Sequence, residues 1–224
     1  MDSSTALDAT PRGTGAPAGG KDEKTSRREL NKQATRAAII EASVRLLSEN
    51  GMGNFTAEDL ADAVGISRRT FFNYFPSPEA ALAATVQNFL DGAIEEFRKR
   101  PLEEPLLDSA IAAVTSLVEP GALSRMARVC LLTENQPQVQ RWQLMAWEEA
   151  SYKLSAVAVE RLGTEADPFF VKTMVGAIIG AGKSAMEFWL EHQLPRDGNV
   201  ADTDSAALRV LITQALQYLR NGFA

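Results

Sequence analysis

The chain of 224 residues is poor in the side chains that carry out chemistry. It holds one histidine, His192, and one cysteine, Cys130. A single cysteine excludes an intrachain disulfide and suits a reducing cytoplasm. A single histidine excludes a histidine-based metal cluster and leaves no Ser–His–acid constellation to build, so neither a zinc site nor a hydrolase is expected, and no cofactor. Long uncharged runs are also lacking. One of the longer ones, Thr173–Gly182, has ten residues, too short for a bilayer that needs about 20. The opening "MDSSTALDATPRGTG" carries an aspartate at position 2 and no apolar run, unlike a secretory signal. There is no convincing alternating strand pattern and no internal repeat. These absences predict a soluble, cytoplasmic, helical protein.

What is present is ordinary in total and uneven in place. Apolar residues make up 45% and charged residues 23%, enough for one large domain or two small ones. The net charge is −6, yet residues 24–75 carry eight cationic and six anionic side chains, while 76–224 carry thirteen and nineteen. Residues 1–20 are mostly Ser, Thr, Ala, Gly and Pro, a composition that buries too little to offset ordering entropy. Segment 1–28 therefore reads as a disordered arm with a basic end. From Asn31 the periodicity is helical throughout, with Ala38, Ile39, Ala42, Leu46 and Leu47 forming the first apolar stripe. Helices are expected at about 31–49, 57–64, 68–74, 78–99, 105–118, 122–134, 137–162, 168–193 and 203–221, an all-α chain of nine helices. Breaks fall at "RPLEEP", "EPG", "ENQP", "TEADP" and "LPRDGN".

Two of these helices are each about two turns long and joined by "GIS". Helices so short need a neighbour to hold them. Thr56 with Asp59 makes a capping-box-like start, Gly65 permits a left-handed turn, Ser67 caps the next helix, and Pro76 stops it. Ser77-Pro78-Glu79 then starts a long helix. The layout is a helix-turn-helix, whose second helix enters the major groove. Phe71, Phe75 and Ile66 fall on the inner side with Leu60, Ala61 and Val64. Arg68, Arg69, Phe72 and Asn73 fall outward. Arg can read guanine and Asn adenine through paired hydrogen bonds, each worth about 1–3 kcal/mol of discrimination. Thr70 and Tyr74 offer hydroxyls for phosphate, and Thr70 also a methyl for thymine. An arginine pair is ordinarily just solvated; the caps, the glycine turn and the outward Phe72 favour a DNA-reading role.

The stretch "FTAEDLADAVGISRRTFFNYFPSPEAAL" resembles the DNA-binding domain of the TetR family of transcriptional regulators over residues about 35–85. The run "RMARVCLLTENQPQVQRWQLMAWEEASYKLSAVAVERLG" is similar to the core of many actinobacterial members. The resemblance implies an all-helical dimer with an HTH DNA-binding domain at 29–76 and a ligand-binding and dimerisation domain at 77–224. It implies that Arg68, Arg69, Thr70, Phe72, Asn73 and Tyr74 face DNA and that Thr56 contacts the phosphate backbone. The family commonly has tyrosine where this chain has Phe72, and lysine where it has Pro78. Lys24, Arg27, Arg28 and Lys32 could replace those contacts along the backbone or minor groove.

In the remainder, Met126, Trp142, Met145, Trp147, Phe169, Met174 and Phe188 are candidate cavity residues for an apolar or aromatic small molecule, with Asn135, Gln136 and Glu148 as polar companions. Each is also an ordinary core residue; only their clustering argues for a ligand. Gly176, Gly180, Ala181 and Ser184, with Val210, Leu211 and Leu216, are candidates for a four-helix dimer interface. "AIIGAGKS" at 177–184 matches a relaxed phosphate-loop pattern but lacks the preceding strand such a loop needs. The expectation is a ligand-responsive, homodimeric DNA-binding regulator, a repressor released from a palindromic operator. The alternatives are control by a protein partner and, more remotely, a small helical enzyme or nucleotide binder.

Overall fold

A computed structural model describes residues 20–116, 121–163, 165–192 and 202–223. These residues form nine helices and no strand: α1 (Gly20–Asn50), α2 (Ala57–Val64), α3 (Arg68–Phe72), α4 (Pro78–Arg98), α5 (Leu106–Thr115), α6 (Ala122–Leu132), α7 (Pro137–Leu162), α8 (Pro168–His192) and α9 (Asp202–Asn221). The chain divides into a short unit, residues 1–36, and a main unit, residues 37–224.

In the short unit the helix begins at Gly20 rather than near Asn31. The disorder expected for 1–28 therefore does not hold for Gly20–Arg28; residues 1–19 lie outside the described residues. The physical reason is local. Glu, Lys and Arg are good helix formers, and opposite charges three or four apart support a helix without tertiary burial. Lys32 Nζ stands 3.6 Å from Glu29 Oε1, and Thr35 Oγ1 donates to the Asn31 carbonyl at 2.9 Å.

The main unit holds two apolar cores. The first gathers Ile39, Ile40, Val44 and Leu47 of α1 around Leu60 and Ala61 of α2 and Phe71 of α3. Ala38, expected on this stripe, is exposed, and Ile40, Ser43 and Val44 take its place. The second core lies among α4 to α9 and includes Met126, Leu154, Val175 and Trp189. Helix α4 is common to both. Ala80, Ala81, Leu82 and Ala84 pack into the first core, and Val86, Phe89, Leu90, Ile94 and Phe97 into the second. Packing therefore continues through α4 beyond the expected boundary at 76/77. The α6–α7 corner also reaches the first core through the buried Val129 and Val139.

The far end of α4 is pinned by one arginine. Arg161 of α7 donates to the carbonyls of Phe97 (3.0 Å), Arg100 (3.4 Å), Pro101 (2.7 Å) and Glu104 (3.2 Å), and to Ser109 Oγ (3.0 Å). Its guanidinium carbon also lies 4.8 Å from the Phe97 ring centroid. The Phe97 and Pro101 carbonyls also accept turn N–H groups, from Arg100 and Glu104 at 3.2 Å each, at and beyond the end of α4 where i+4 helical donors run out.

Candidate nucleic-acid interface and effector cavity

The helix-turn-helix is built from local bonds. Thr56 Oγ1 accepts from the Asp59 N–H (3.3 Å), while Asp59 Oδ2 accepts from both the Thr56 N–H and its hydroxyl (2.7 Å each). This reciprocal box satisfies two donors that a helix start would otherwise orphan. The Thr56 hydroxyl bond, then its backbone N–H, hold the Asp59 carboxyl below the usual carboxylate range. At the other end of α2, Gly65 adopts φ 72°, a left-handed geometry that strains an L side chain. Ser67 Oγ then accepts from the Thr70 N–H at 3.0 Å and lies 2.8 Å from Thr70 Oγ1.

Helix α3 has only five residues, so its two faces are easily separated. Phe71 and Phe75 are buried in the first core. Arg68, Arg69, Phe72 and Asn73 are exposed, and Thr70 and Tyr74 are half-buried. Asn73 is the C-cap rather than part of the helix. Phe72 is 44% exposed. Its ring lies edge-on to Phe71 at 5.4 Å and carries the Arg68 guanidinium at 5.5 Å from its centroid. A cation over a ring gains about 0.5–1 kcal/mol at an exposed site, so Phe72 orients Arg68. The Thr56 and Thr70 hydroxyls are engaged in caps. Arg27 and Arg28 are exposed on α1, in the short unit.

A cavity with room of about 70 Å³ for water-sized spheres lies among α4 to α9, and every lining residue is apolar. Phe89, Ile94 and Phe97 of α4 form one wall, with Ile178 and Ile179 of α8 and Ile212 of α9 among the others. Of the seven residues expected there, Met126 and Trp147 line it. The other five do not. Trp142 packs against the first core, Met174 against the second, and Met145, Phe169 and Phe188 are exposed. Asn135 and Glu148 are exposed as well, and Gln136 stands at the N-cap of α7. Size and chemistry mark residues that suit a ligand, whereas the cavity is set by which helix faces meet.

Residues 39–85 match the family described as bacterial regulatory proteins, tetR family, and residues 104–224 match the MftR C-terminal domain. The chain belongs to the TetR family. It is a ligand-responsive DNA-binding transcriptional regulator and not an enzyme. Among its relatives is the HTH-type transcriptional regulator TcmR of Streptomyces glaucescens, 27% identical over 86% of each chain. Another is MftR of Mycobacterium tuberculosis, named for mycofactocin biosynthesis, 25% identical over 75% of this chain and 83% of that one. The fold is similar to the solved structure of the TetR-family repressor FadR of Thermus thermophilus in complex with lauroyl-CoA. That match has a TM-score of 0.52 and 21% identity, and covers 84% of this chain and 95% of that one.

Other features of this TetR-family chain find places in the helical domain. On α8, Gly176, Gly180 and Ser184 are exposed and Ala181 is half-buried. A Cβ built on Gly176 or Gly180 would meet nothing within 4 Å. Val210 of α9 is exposed and Leu211 half-buried, but Leu216 points inward and lines the cavity, so it leaves the candidate dimer face. By length and composition α8 is apolar enough to cross a membrane. Its uncharged run is still only the ten residues between Lys172 and Lys183, and a bilayer-length segment of α8 includes charged residues. Yet it packs on α7 and α9 through residues such as Val175 and Trp189. "AIIGAGKS" is uninterrupted helix within α8, with Lys183 Nζ 3.7 Å from Glu187 Oε1. Cys130 is buried, and burial pushes its thiol up to about 12. His192 stacks on Phe188 with centroids 4.2 Å apart. Among the described residues, no three or more His, Cys, Asp or Glu side chains converge as a metal site would require.

Proposed function

We propose that the protein acts in the cytoplasm as a homodimeric repressor, released from a palindromic operator when a small apolar or aromatic effector widens the α4–α9 cavity. Arg68, Arg69 and Asn73 read base edges, Phe72 positions Arg68 and presses on thymine methyls or sugars, and Tyr74 approaches phosphate. Thr56 and Thr70 support the reading helix through their caps and offer their remaining lone pairs or methyls at the DNA. Arg27 and Arg28 add phosphate contacts. The dimer buries the exposed small-residue stripe of α8 with Val210 and Leu211, placing two reading heads about 34–36 Å apart.

The observation that carries this reading is the double membership of α4: its first turns pack in the head and its last turns wall the cavity. The cavity's room of about 70 Å³ exceeds the ~10–15 Å³ that one water needs, but falls well below a drug-sized site of about 300 Å³. An effector must therefore displace α4 or its neighbours. A close-packed interior shifts between discrete arrangements rather than deforming smoothly. Ligand then favours a head separation that DNA does not, and DNA weakens ligand binding by the same factor. Selection of bound sequences from a random DNA pool should return an inverted repeat. Recovery of no enriched site, or of a single half-site only, would refute the reading.

A further inference from the structure

Trp147 and Met186 line the apolar cavity and also a second cavity, of about 310 Å³, on their other side. The second cavity is bounded by the α6–α7 corner and α8 and is the more polar of the two: Gln140, Gln143, Glu134, Lys183 and Glu187 share its wall with Cys130, Leu144 and Leu190. One indole and one thioether are thus common to the apolar cavity and the more polar one. Gly182 leaves the Trp147 ring against the α8 backbone, its Cζ3 and Cη2 3.9 Å from where a Cβ would stand. Methionine re-packs at small cost.

Gln143 is the chemically informative residue of the polar chamber. Its Nε2 donates to Thr133 Oγ1 at 3.3 Å and lies 3.8 Å from Cys130 Sγ. Thr133 Oγ1 in turn donates to the Val129 carbonyl at 2.6 Å. Val129, before the corner, and Val139, after it, are fully buried in the core that seats the DNA-reading helices. A group that engages the Gln143 amide competes with its bond to Thr133, one link from that core.

We propose that the polar chamber takes the head group of an amphipathic effector whose apolar part occupies the inner cavity, and that Gln143 reads the head and couples it to the α6–α7 corner. This rests on the reading of the inner cavity as the effector site. The head is uncharged and oxygen-bearing. A primary amide both donates to and accepts from hydroxyls. Two carboxylates, Glu134 and Glu187, share the wall with one ammonium, Lys183, so an anionic head meets net negative charge.

Three probes with the same chain separate the possibilities: octyl glucoside, octyl sulfate and 1-octanol, each below its micellar concentration. Binding to the full-length protein is followed by calorimetry and tryptophan emission, with no DNA present. Two added hydrogen bonds predict that octyl glucoside binds about tenfold tighter than 1-octanol. It should also bind tighter than octyl sulfate. Gln143→Leu should reduce the glucoside-to-octanol ratio to near one, and Trp147→Phe should abolish the ligand-induced emission change. A wild-type ratio near one, tightest binding by octyl sulfate, or a preference surviving in Gln143→Leu overturns the proposal; the wild-type comparison decides even if the variant fails to fold. Binding of 1-octanol with no gain from the glucose head sinks this proposal alone. Binding of none of the three removes the effector-cavity reading with it.

Discussion

Replacing Arg161 by methionine should cost more stability than a half-exposed arginine ordinarily carries. Its two terminal nitrogens serve four carbonyls and one hydroxyl across Phe97–Ser109, at 2.7–3.4 Å. Five acceptors exceed the four hydrogens on those nitrogens, so some bonds are shared and the five do not add. Counting two full charge-assisted bonds at the low end of about 1.5–3 kcal/mol each gives ~3 kcal/mol. The Phe97 ring contact adds about 0.5–1 kcal/mol. Against this, the buried Nε of Arg161 lacks a hydrogen-bond partner, and removing it recovers part of its desolvation. The net expectation is a loss of about 2–4 kcal/mol. For a chain of this size that corresponds to roughly 5–15 °C in Tm. Urea unfolding followed by circular dichroism at one fixed protein concentration reads it, since the proposed dimerisation would couple stability to concentration. Arg161→Lys should recover less than half, because an ammonium cannot span two turns as the planar fork does. A loss below about 1 kcal/mol, or full recovery by lysine, would show that the α4–α5 turn holds itself and the hub counts for little.

Asn73→Ala and Arg69→Ala should each weaken binding to the selected operator about tenfold or more and relax preference at one base position. Arg27→Ala with Arg28→Ala should instead lower affinity for all sequences and flatten its salt dependence; an unchanged salt slope would exclude a phosphate role. Gly180→Arg should leave the protomer folded, since its added side chain enters open space, while shifting sedimentation from dimer to monomer. Hydrogen bonds from Arg100 and then Ser109 hold the Glu104 carboxyl down to about 2. Its folded pKa is depressed, so its stabilisation is present above the ordinary carboxylate pKa of about 4.3 and fades as pH falls toward 2; Glu104→Gln should flatten that acid limb of the unfolding curve. Cys130 borders the second cavity, but burial pushes its thiol up to about 12, so a thiol-exchange reagent at pH 8 should react far more slowly with the folded protein than with the unfolded one.

The sequence by itself determined the features whose physics is local. The Thr56–Asp59 box, the left-handed Gly65, the Ser67 and Ser77 caps and the Pro78 start are all written within three or four residues, and each stands where the chain places it. The split of "FFNYF" into buried Phe71 and Phe75 and exposed Phe72 followed from helical spacing alone. Even the extension of α1 back to Gly20 is a local effect of helix-forming charged residues. Tertiary structure alone decided the cavity. Trp142 and Trp147 lie on one helix, yet the first serves the head's core and the second the cavity, because different neighbours meet α7 at those turns. Leu211 and Leu216 share a helix too, and only the packing of α9 on α5 and α8 turns Leu216 inward. Helices that are apolar on more than one side carry no intrinsic mark of which side is core, which is cavity and which awaits a partner. That choice belongs to the neighbours, and it is made only when the chain is folded.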